Sequence, residues 1–472
     1  MGQYFLRRLL LLPLTLFGIT FLAFLITRFV PGGPLEQAQA EKMAAAGRGG
    51  VGTDNSGTLS PEEELQLKRF YRMDQPVVTG YLQWLGILPG PETTLVQLLT
   101  LPEGETGWQT EVKAVAALVD GAPLLVQIPA TITVEKANGL AVAAQIAVRP
   151  DAAALEKFLA EQKVVLEKAK KKAELPDAAT LARRISKGWN VKLLPPSTRP
   201  GALTPELQPV RVDVFQEKFD GILQGNLGRS FLRNKPVTEV IFSKLPVSLW
   251  FGAWSLFLTY SVCIPLGVLK ALRHKQAIDN ISSVLLFTGY ALPGYVLAVV
   301  LQYFLAFQFH LFPHSGFIGE GLKDASLLAK AGSVLWHTVL PLLCLTSGSF
   351  ALMTMLMKNT LMDNLAMDYV RTAVAKGVSF RAAVLRHAFR NSLVPIATGL
   401  GGCLSALLTG SFLIEMIFDI DGIGLLGYTS LVGRDYPVFL GLLLFSSFLM
   451  LAGNILSDVC VALVDPRIRF GK

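Results

Sequence analysis

Six long apolar runs constrain the fold of this chain more than any other feature of its sequence. The first covers residues 9–27 and follows Arg7 and Arg8, and the other five lie in the second half of the chain, at residues 246–269, 281–309, 333–357, 393–414 and 437–457. A helix of about 20 apolar residues crosses the hydrocarbon core of a bilayer. The sequence therefore predicts an all-α polytopic membrane protein with six transmembrane helices.

The composition agrees with membrane integration. Hydrophobic residues make up 51% of the chain and charged residues 17%, whereas soluble proteins have about 25% charged residues. These values exclude a disordered chain and argue against an ordinary soluble enzyme. The net charge of +8 comes without any basic stretch interleaved with aromatic residues, so we expect no nucleic-acid partner.

The distribution of lysine and arginine predicts the orientation of the spans. Basic residues dominate the loops at 270–280 and 358–392 and the tail at 465–472, whereas the loop at 415–436 is acidic. Because basic loops stay on the cytoplasmic side, both termini are predicted to be cytoplasmic and residues 31–245 to face the periplasm. The first run lacks a cleavage signal and is followed by rigid Pro31-Gly-Gly-Pro34, so we interpret it as an uncleaved anchor.

These observations predict a domain order. An N-terminal transmembrane helix (1–30) precedes a periplasmic region (31–245), a five-helix membrane core (246–464) and a cytoplasmic tail (465–472). Within the periplasmic region, residues of about 86–218 predict an inserted α+β domain. Its expected elements are strands at 112–119, 124–129, 131–135 and 140–148, a hairpin turn at Asn138-Gly139 and a helix at about 151–175.

The spans lack the groups that catalysis or ion coupling requires. Runs two, three and five contain no Asp, Glu, Lys or Arg, which argues against a proton- or ion-coupled carrier. The spans contain no nucleophile with a suitable base in reach, so we do not expect a membrane protease. The cysteines are far apart in the sequence, and His310 and His314 have the spacing of metal ligands on a helix, but Pro313 would break a helix between them. No phosphate-binding P-loop is present. We therefore expect no catalytic, cofactor-binding or metal-binding residues, and energy for uphill transport would come from a partner.

The fifth run carries a stripe of small residues. Thr398, Gly402, Ala406 and Gly410 recur at four-residue spacing, which places them on one helix face. Such a face packs closely either within this chain, the interpretation we favour, or against another helix of an assembly.

The basic loop between runs four and five predicts a short surface helix. Its sequence is Asp368-Tyr-Val-Arg-Thr-Ala-Val-Ala-Lys-Gly377, in which Gly377 is well placed to end the helix in the left-handed conformation. A second amphipathic helix is predicted near 380–391. A short cytoplasmic helix that exposes small residues suits a partner's cleft, but a basic helix can equally lie on lipid headgroups. Composition alone leaves both interpretations open.

This segment resembles the loop of inner-membrane permeases of binding-protein-dependent ABC importers, in their dipeptide/oligopeptide branch. The usual Arg-His-Ala-x-Arg-Asn follows as residues 386–391, and further matches are Leu245-Pro-Val-Ser-Leu249, Ile264-Pro-Leu-Gly-Val268, Gly289-Tyr-Ala-Leu-Pro293, Leu413-Ile-Glu415 and Leu463-Val-Asp-Pro-Arg467. Within the branch the set is similar to the B-type permeases of Yej importers, which take up microcin C and related oligopeptides. The resemblance covers about residues 1–85 and 219–472, and residues 86–218 interrupt it.

The resemblance implies a type I ABC importer permease fold and a set of partners. These are a second permease subunit (a different permease or a second copy), a cytoplasmic ABC ATPase that binds the ATP, a periplasmic peptide-binding protein and the lipid of the inner membrane. It also implies that the short helix couples to the ATPase, through Asp368, Tyr369, Arg371, Thr372, Ala373, Ala375, Lys376 and Gly377. The basic stretch at 163–192 of the insertion is either a docking surface or, as we favour, a solvated face.

Overall fold

The fold is described from a computed structural model of the chain. It describes residues 2–29, 61–70, 72–91, 97–101, 107–119, 122–137, 140–168, 175–194, 210–319, 326–399 and 411–464, with residues 36, 39 and 43. These residues form two compact units, one comprising residues 1–23 and 229–472 and the other residues 24–228.

Helices occur in both units. In chain order they are α1 (Gly2–Phe29), α2 (Pro61–Phe70), α3 (Val77–Leu85), α4 (Ala152–Lys168), α5 (Ala178–Ile185), α6 (Val237–Leu272), α7 (Ala277–Ala291), α8 (Gly294–Leu301), α9 (Leu327–Leu365), α10 (Asp368–Ala375), α11 (Phe380–Ala383), α12 (Phe389–Ser392), α13 (Phe412–Ile417), α14 (Ile423–Val432) and α15 (Tyr436–Val464). Two π-helical segments, Gln302–Gln308 and Val384–Ala388, continue α8 and join α11 to α12.

Four of the described helices, α1, α6, α9 and α15, are long and apolar enough to cross a membrane. The run predicted as one span at 281–309 is instead bent by 97° between α7 and α8. The bend has a local cause, because Pro293 lacks the N–H that would continue the helix and keeps the preceding residue extended. Residues 394–399 are helical, but half of the run at 393–414, with Gly402, Ala406 and Gly410, lies outside the described residues. The count of six spans therefore stays a prediction.

Two glycines set close helix contacts in the unit that contains the spans. A Cβ on Gly267 would lie 2.6 Å from the Cβ of Met357, so α6 and α9 approach closely there. A Cβ on Gly294 would lie 2.8 Å from the carbonyl oxygen of Cys344, where α8 meets α9. Substitution at either position would force these helices apart.

The unit of residues 24–228 contains all the strands that the structure describes. They are β1 (Gly90–Pro91), β2 (Gln97–Leu101), β3 (Gly107–Val119), β4 (Ala122–Ala137), β5 (Leu140–Val148), β6 (Trp189–Leu193) and β7 (Val210–Lys218). One antiparallel sheet has the order β3-β4-β5, and in the other β7 pairs with β1, β2 and β6.

Strand β4 replaces two predicted strands, at 124–129 and 131–135. The interruption predicted around Pro129 does not occur, because the carbonyl of Pro129 accepts the Arg149 N–H at the end of the β5 ladder. Pro129 has no backbone N–H, and its nitrogen faces β5 beyond the last ladder pair, Ala130 with Val148, where no donor is needed. Ala137 pairs with Leu140, but the predicted turn residues Asn138 and Gly139 lie outside the described residues.

Alternate residues of β4 form the core of this unit. Val126, Ile128, Ala130, Ile132 and Val134 are buried, and they pack with apolar residues of α4, α5 and β7. Strands β2, β6 and β7 and helix α5 were not predicted from the sequence, and the predicted helix at 151–175 is described only to Lys168.

A buried ion pair joins the two ends of this unit. The Arg69 guanidinium of α2 donates to the Asp213 carboxylate of β7, and its Cζ lies 4.8 Å from the centre of the Phe215 ring. Both charged residues are buried, and burial raises the pKa of Asp213 while Arg69 opposes that shift. The segment before residue 86 is therefore part of the same folded unit as the sheets.

Candidate functional site

The predicted surface helix is present as α10, two residues after the end of α9. It runs over Asp368–Ala375, and Lys376 and Gly377 follow it. Asp368 lies in the first turn, where its carboxylate is favourable at the positive end of the helix dipole. Val370 is buried and holds the helix to the rest of its unit.

Most of the predicted coupling residues lie on the exposed surface of α10. The exposed set is Asp368, Tyr369, Arg371, Thr372, Ala375, Lys376 and Gly377. Ala373 differs, because it is half-buried and packs against the buried cluster that contains Val370, Met357 and Leu361. The prediction that Ala373 is small in order to fit a partner's cleft is therefore incomplete, since a larger side chain there would also meet the chain's own core.

Tyr369 connects α10 to helices α9 and α12. Its hydroxyl donates to the Asn364 Oδ1 of α9 (2.7 Å) and accepts from the Asn391 Nδ2 of α12 (3.1 Å). Asn364 also donates to the Ser392 hydroxyl, 3.2 Å away. The sequence pattern contains both Tyr369 and Asn391, but their separation in the chain hides the contact.

Gly377 has the left-handed conformation that its sequence position predicts. Its φ is +88°, and the Gly377 N–H donates to the Val374 carbonyl over 2.9 Å. A Cβ on Gly377 would meet no atom within 4 Å, so only the backbone conformation requires glycine here.

The two predicted basic loops are shorter than expected, and they contain buried charges. The loop predicted at 358–392 begins inside α9, where Lys358 is buried, and the loop at 270–280 includes Lys270 of α6 and Asp279 of α7, which are buried too. The predicted spans were bounded at the first charged residue of each helix. In the structure these charged residues lie within the helices and pair with one another inside the protein. Helix α6 likewise begins at Val237, before the predicted boundary at residue 245.

A cavity of about 440 Å³ lies in the same unit as α10, between α6, α9 and residues 411–422. One face of each helix supplies its hydroxyl-bearing lining residues, which include Ser248, Ser255, Thr259, Thr346 and Ser349. The described lining contains one charged side chain, Glu415, whose carboxylate accepts the Leu425 N–H at 2.7 Å. Burial raises the pKa of Glu415, and the same hydrogen bond opposes that shift.

Glu415 also stabilises the start of α14. Gly422 precedes this helix without a side chain to cap it, so the Glu415 carboxylate takes the place of a capping residue. A Cβ on Gly422 would lie 2.7 Å from Glu415 Oε2, which explains the glycine at this position.

Similarity to known proteins identifies the class of protein. Residues 263–470 match the family described as binding-protein-dependent transport system inner membrane component. The chain belongs to this family of inner-membrane permeases.

Two similar proteins are both named YejB. The chain is 39% identical over 266 residues to the inner membrane ABC transporter permease protein YejB of Escherichia coli O157:H7, an alignment that covers 56% of this chain and 73% of the relative. It is 38% identical over 261 residues to the peptidoglycan transport system permease protein YejB of Agrobacterium fabrum, with 55% and 72% covered.

More distant similarities extend to other transporters. The dipeptide transport system permease protein DppB of Lactococcus lactis is 32% identical over 246 residues, with 52% of this chain and 76% of the relative covered. A solved structure of the inward-facing methionine transporter MetNI has a TM-score of 0.38 at 17% identity, covering 48% of this chain and 97% of that chain. The second similarity is too weak to support an argument.

Proposed function

We propose that this chain is a permease subunit of an ATP-driven importer for oligopeptides, including microcin C-like peptides. The observation that carries the proposal is the set of relatives above 30% identity. Among them, the YejB proteins are named for ABC transport and for peptidoglycan transport, and the DppB protein is named for dipeptide transport. In this role the chain lines half of a translocation path and performs no catalysis. A second permease, a periplasmic peptide-binding protein and a cytoplasmic ABC ATPase complete the assembly.

The cavity between α6 and α9 supports a path for peptides. Its lining combines apolar side chains with hydroxyl groups such as those of Ser255, Thr259 and Ser349. Hydroxyls both donate and accept hydrogen bonds, so they satisfy a peptide backbone whatever its side chains are. We expect selectivity to lie mainly in the binding protein for this reason.

The exposed face of α10 is the proposed contact with the ATPase. Thr372 and Ala375 are small and exposed, whereas Val370 anchors the opposite side of the helix. Because Tyr369 forms hydrogen bonds with Asn364 and Asn391, a force applied to this face reaches two further helices. The basic residues of the tail and loops support a cytoplasmic position for this face and for both termini.

A lipid-surface role for α10 is the second candidate, because Arg371 is largely exposed and Lys376 is exposed as well. The docking role requires an ATPase bound to α10, whereas the lipid-surface role does not.

Purification of the tagged chain from its own membrane should yield a nucleotide-hydrolysing subunit, and deletion of the gene should abolish uptake of a labelled oligopeptide. Recovery of the chain without an ATPase, together with normal uptake in the deletion strain, would contradict the proposal.

A further inference from the structure

Three charged residues that come from three helices form a buried cluster beside α10. We call it the Asp279 clamp, and it consists of Lys270 (α6), Asp279 (α7) and Lys358 (α9). Their exposed fractions are 0%, 3% and 7%. The Lys358 Nζ lies 2.8 Å from each carboxylate oxygen of Asp279, and the Lys270 Nζ lies 3.1 Å from Oδ1.

The clamp leaves few polar groups without partners. Lys270 Nζ also donates to the Asp279 carbonyl oxygen and to the hydroxyls of Ser282 and Ser283, at 2.7, 2.8 and 2.7 Å. Asp279 Oδ2 accepts the Lys275 N–H at 3.0 Å and lies 3.2 Å from His274 Nδ1. The donors and acceptors around one carboxylate therefore fix the start of α7 against both α6 and α9.

Such a cluster is a poor device for stability. Burying charges costs desolvation free energy that their attraction often only balances, and apolar replacements of similar volume are frequently as stable. What a bidentate, saturated ion cluster supplies is a defined geometry, because a shifted helix would leave a buried charge unpaired. The clamp thus favours one arrangement of α6, α7 and α9 and penalises small displacements between them.

The clamp is also continuous with the anchor of α10. Ala271 follows Lys270 and Met357 precedes Lys358, and both belong to the buried cluster that holds Val370. Gly267, one turn before Lys270, lets α6 approach Met357 closely. A force on α10 therefore reaches the three clamped helices through side chains that adjoin the clamp.

We propose that the Asp279 clamp makes α6, α7 and α9 move as one rigid body with α10, so that ATPase movement is passed to the membrane helices without slippage. Lys270, Asp279 and Lys358 are positioning residues for transport. The inference rests on the proposed function, since it needs an ATPase acting on α10.

The test compares hydrolysis with transport in the purified assembly, reconstituted in liposomes with its binding protein. Lys358→Gln and Asp279→Asn should still co-purify with the ATPase and hydrolyse ATP, but the ATP used per imported peptide should rise roughly tenfold, within the usual range of coupling between sites. Lys358→Arg, which keeps the charge, should stay near the wild-type ratio. The matched control is Lys235→Gln, which breaks the exposed pair with Glu239 (2.8 Å) and should change nothing.

A double-mutant cycle adds a second criterion. If Asp279 and Lys358 act through the same contact, the double variant Asp279→Asn with Lys358→Gln should lose no more coupling than the more severe of the two single variants. An unchanged ATP-to-peptide ratio in both single variants would overturn the inference, as would equal losses of assembly, hydrolysis and uptake, which indicate a structural role alone. A wild-type assembly without ATP-dependent uptake would instead overturn the proposed function itself.

Discussion

The Tyr369 hydroxyl lies 3.1 Å from the Asn391 side-chain nitrogen, although the two residues belong to different helices on either side of Gly377. The same hydroxyl donates to Asn364 in α9, so one phenol connects α9, α10 and α12. Because α10 has only Val370 fully buried, these hydrogen bonds contribute to its orientation.

Tyr369→Phe tests this connection. The substitution removes the hydroxyl that forms hydrogen bonds with Asn364 and Asn391. We expect the free energy of unfolding to fall by about 1 kcal/mol, which is typical of one net hydrogen bond. Peptide uptake should fall while the permease still inserts, as measured by labelled-peptide transport and by the membrane content of the protein. Tyr290→Phe, at an exposed tyrosine of α7, is the control. Equal uptake by the two variants would show that the phenol bridge has no role in coupling.

The unit of residues 24–228 should need its first helices in order to fold. A fragment of residues 90–215 retains Asp213 but lacks Arg69, and breaking a buried ion pair in this way typically costs about 3–5 kcal/mol. We expect a fragment of residues 61–228 to unfold cooperatively on heating, as followed by circular dichroism, and the shorter fragment to be much less stable. Arg69→Met in the longer fragment should reproduce most of the loss. Equal melting temperatures for both fragments would contradict this account.

The orientation follows from charge asymmetry and is tested by labelling. Lys157 and Lys376 are both exposed, so a cysteine at either position is accessible from its own side of the membrane. In a background whose four native cysteines are replaced by alanine, a membrane-impermeant thiol reagent added outside should label Lys157→Cys and spare Lys376→Cys. The opposite pattern would invert the predicted topology.

Gly377 isolates the effect of backbone conformation. Its surroundings have room for a side chain, but its φ of +88° does not suit a β-branched residue. Gly377→Val should destabilise the exit from α10 by about 1–2 kcal/mol, and Gly377→Asn by less. Reduced uptake should accompany the loss, and Gly332→Val, in equally open space without a positive φ, should be neutral. Similar uptake by Gly377→Val and Gly332→Val would argue against a need for the left-handed exit.

Local patterns in the sequence were sufficient to predict the parts of the site and of the fold that depend on residues close together in the chain. The helix at 368–375 and the left-handed Gly377 follow from a short pattern, and the strand at 140–148 follows from its composition. Family resemblance favoured a coupling role for the helix, which composition alone had left open and which stays a proposal.

Contacts between distant residues account for what the sequence did not predict. Lys270 and Lys358 follow apolar runs and Asp279 precedes one, so all three were assigned to loops. Only the packing of three helices shows that they pair with one another. Strand β7 was missed for a similar reason, since its partners β1, β2 and β6 and its ion pair with Arg69 are remote in sequence. The bend at Pro293 could not be predicted without knowing that α7 ends at Ala291.

Ala375→Trp tests the proposed docking of α10 into a partner ATPase. Ala375 is exposed, so tryptophan there leaves the chain's own core intact, in contrast to Ala373→Trp. Lys376→Ala removes one exposed charge and should be mild, at about 0–1 kcal/mol. On a lipid surface the order reverses, because tryptophan favours the interface and each basic residue contributes about 1 kcal/mol.

The decisive measurement is therefore the amount of ATPase that co-purifies with each variant from membranes containing equal permease. We expect Ala375→Trp to lose most of the ATPase and Lys376→Ala to retain it. The control Ala331→Trp, at an exposed position of α9, should retain it as well. Wild-type levels of ATPase with Ala375→Trp, together with a loss in Lys376→Ala, would contradict the docking of α10 and support its placement on lipid.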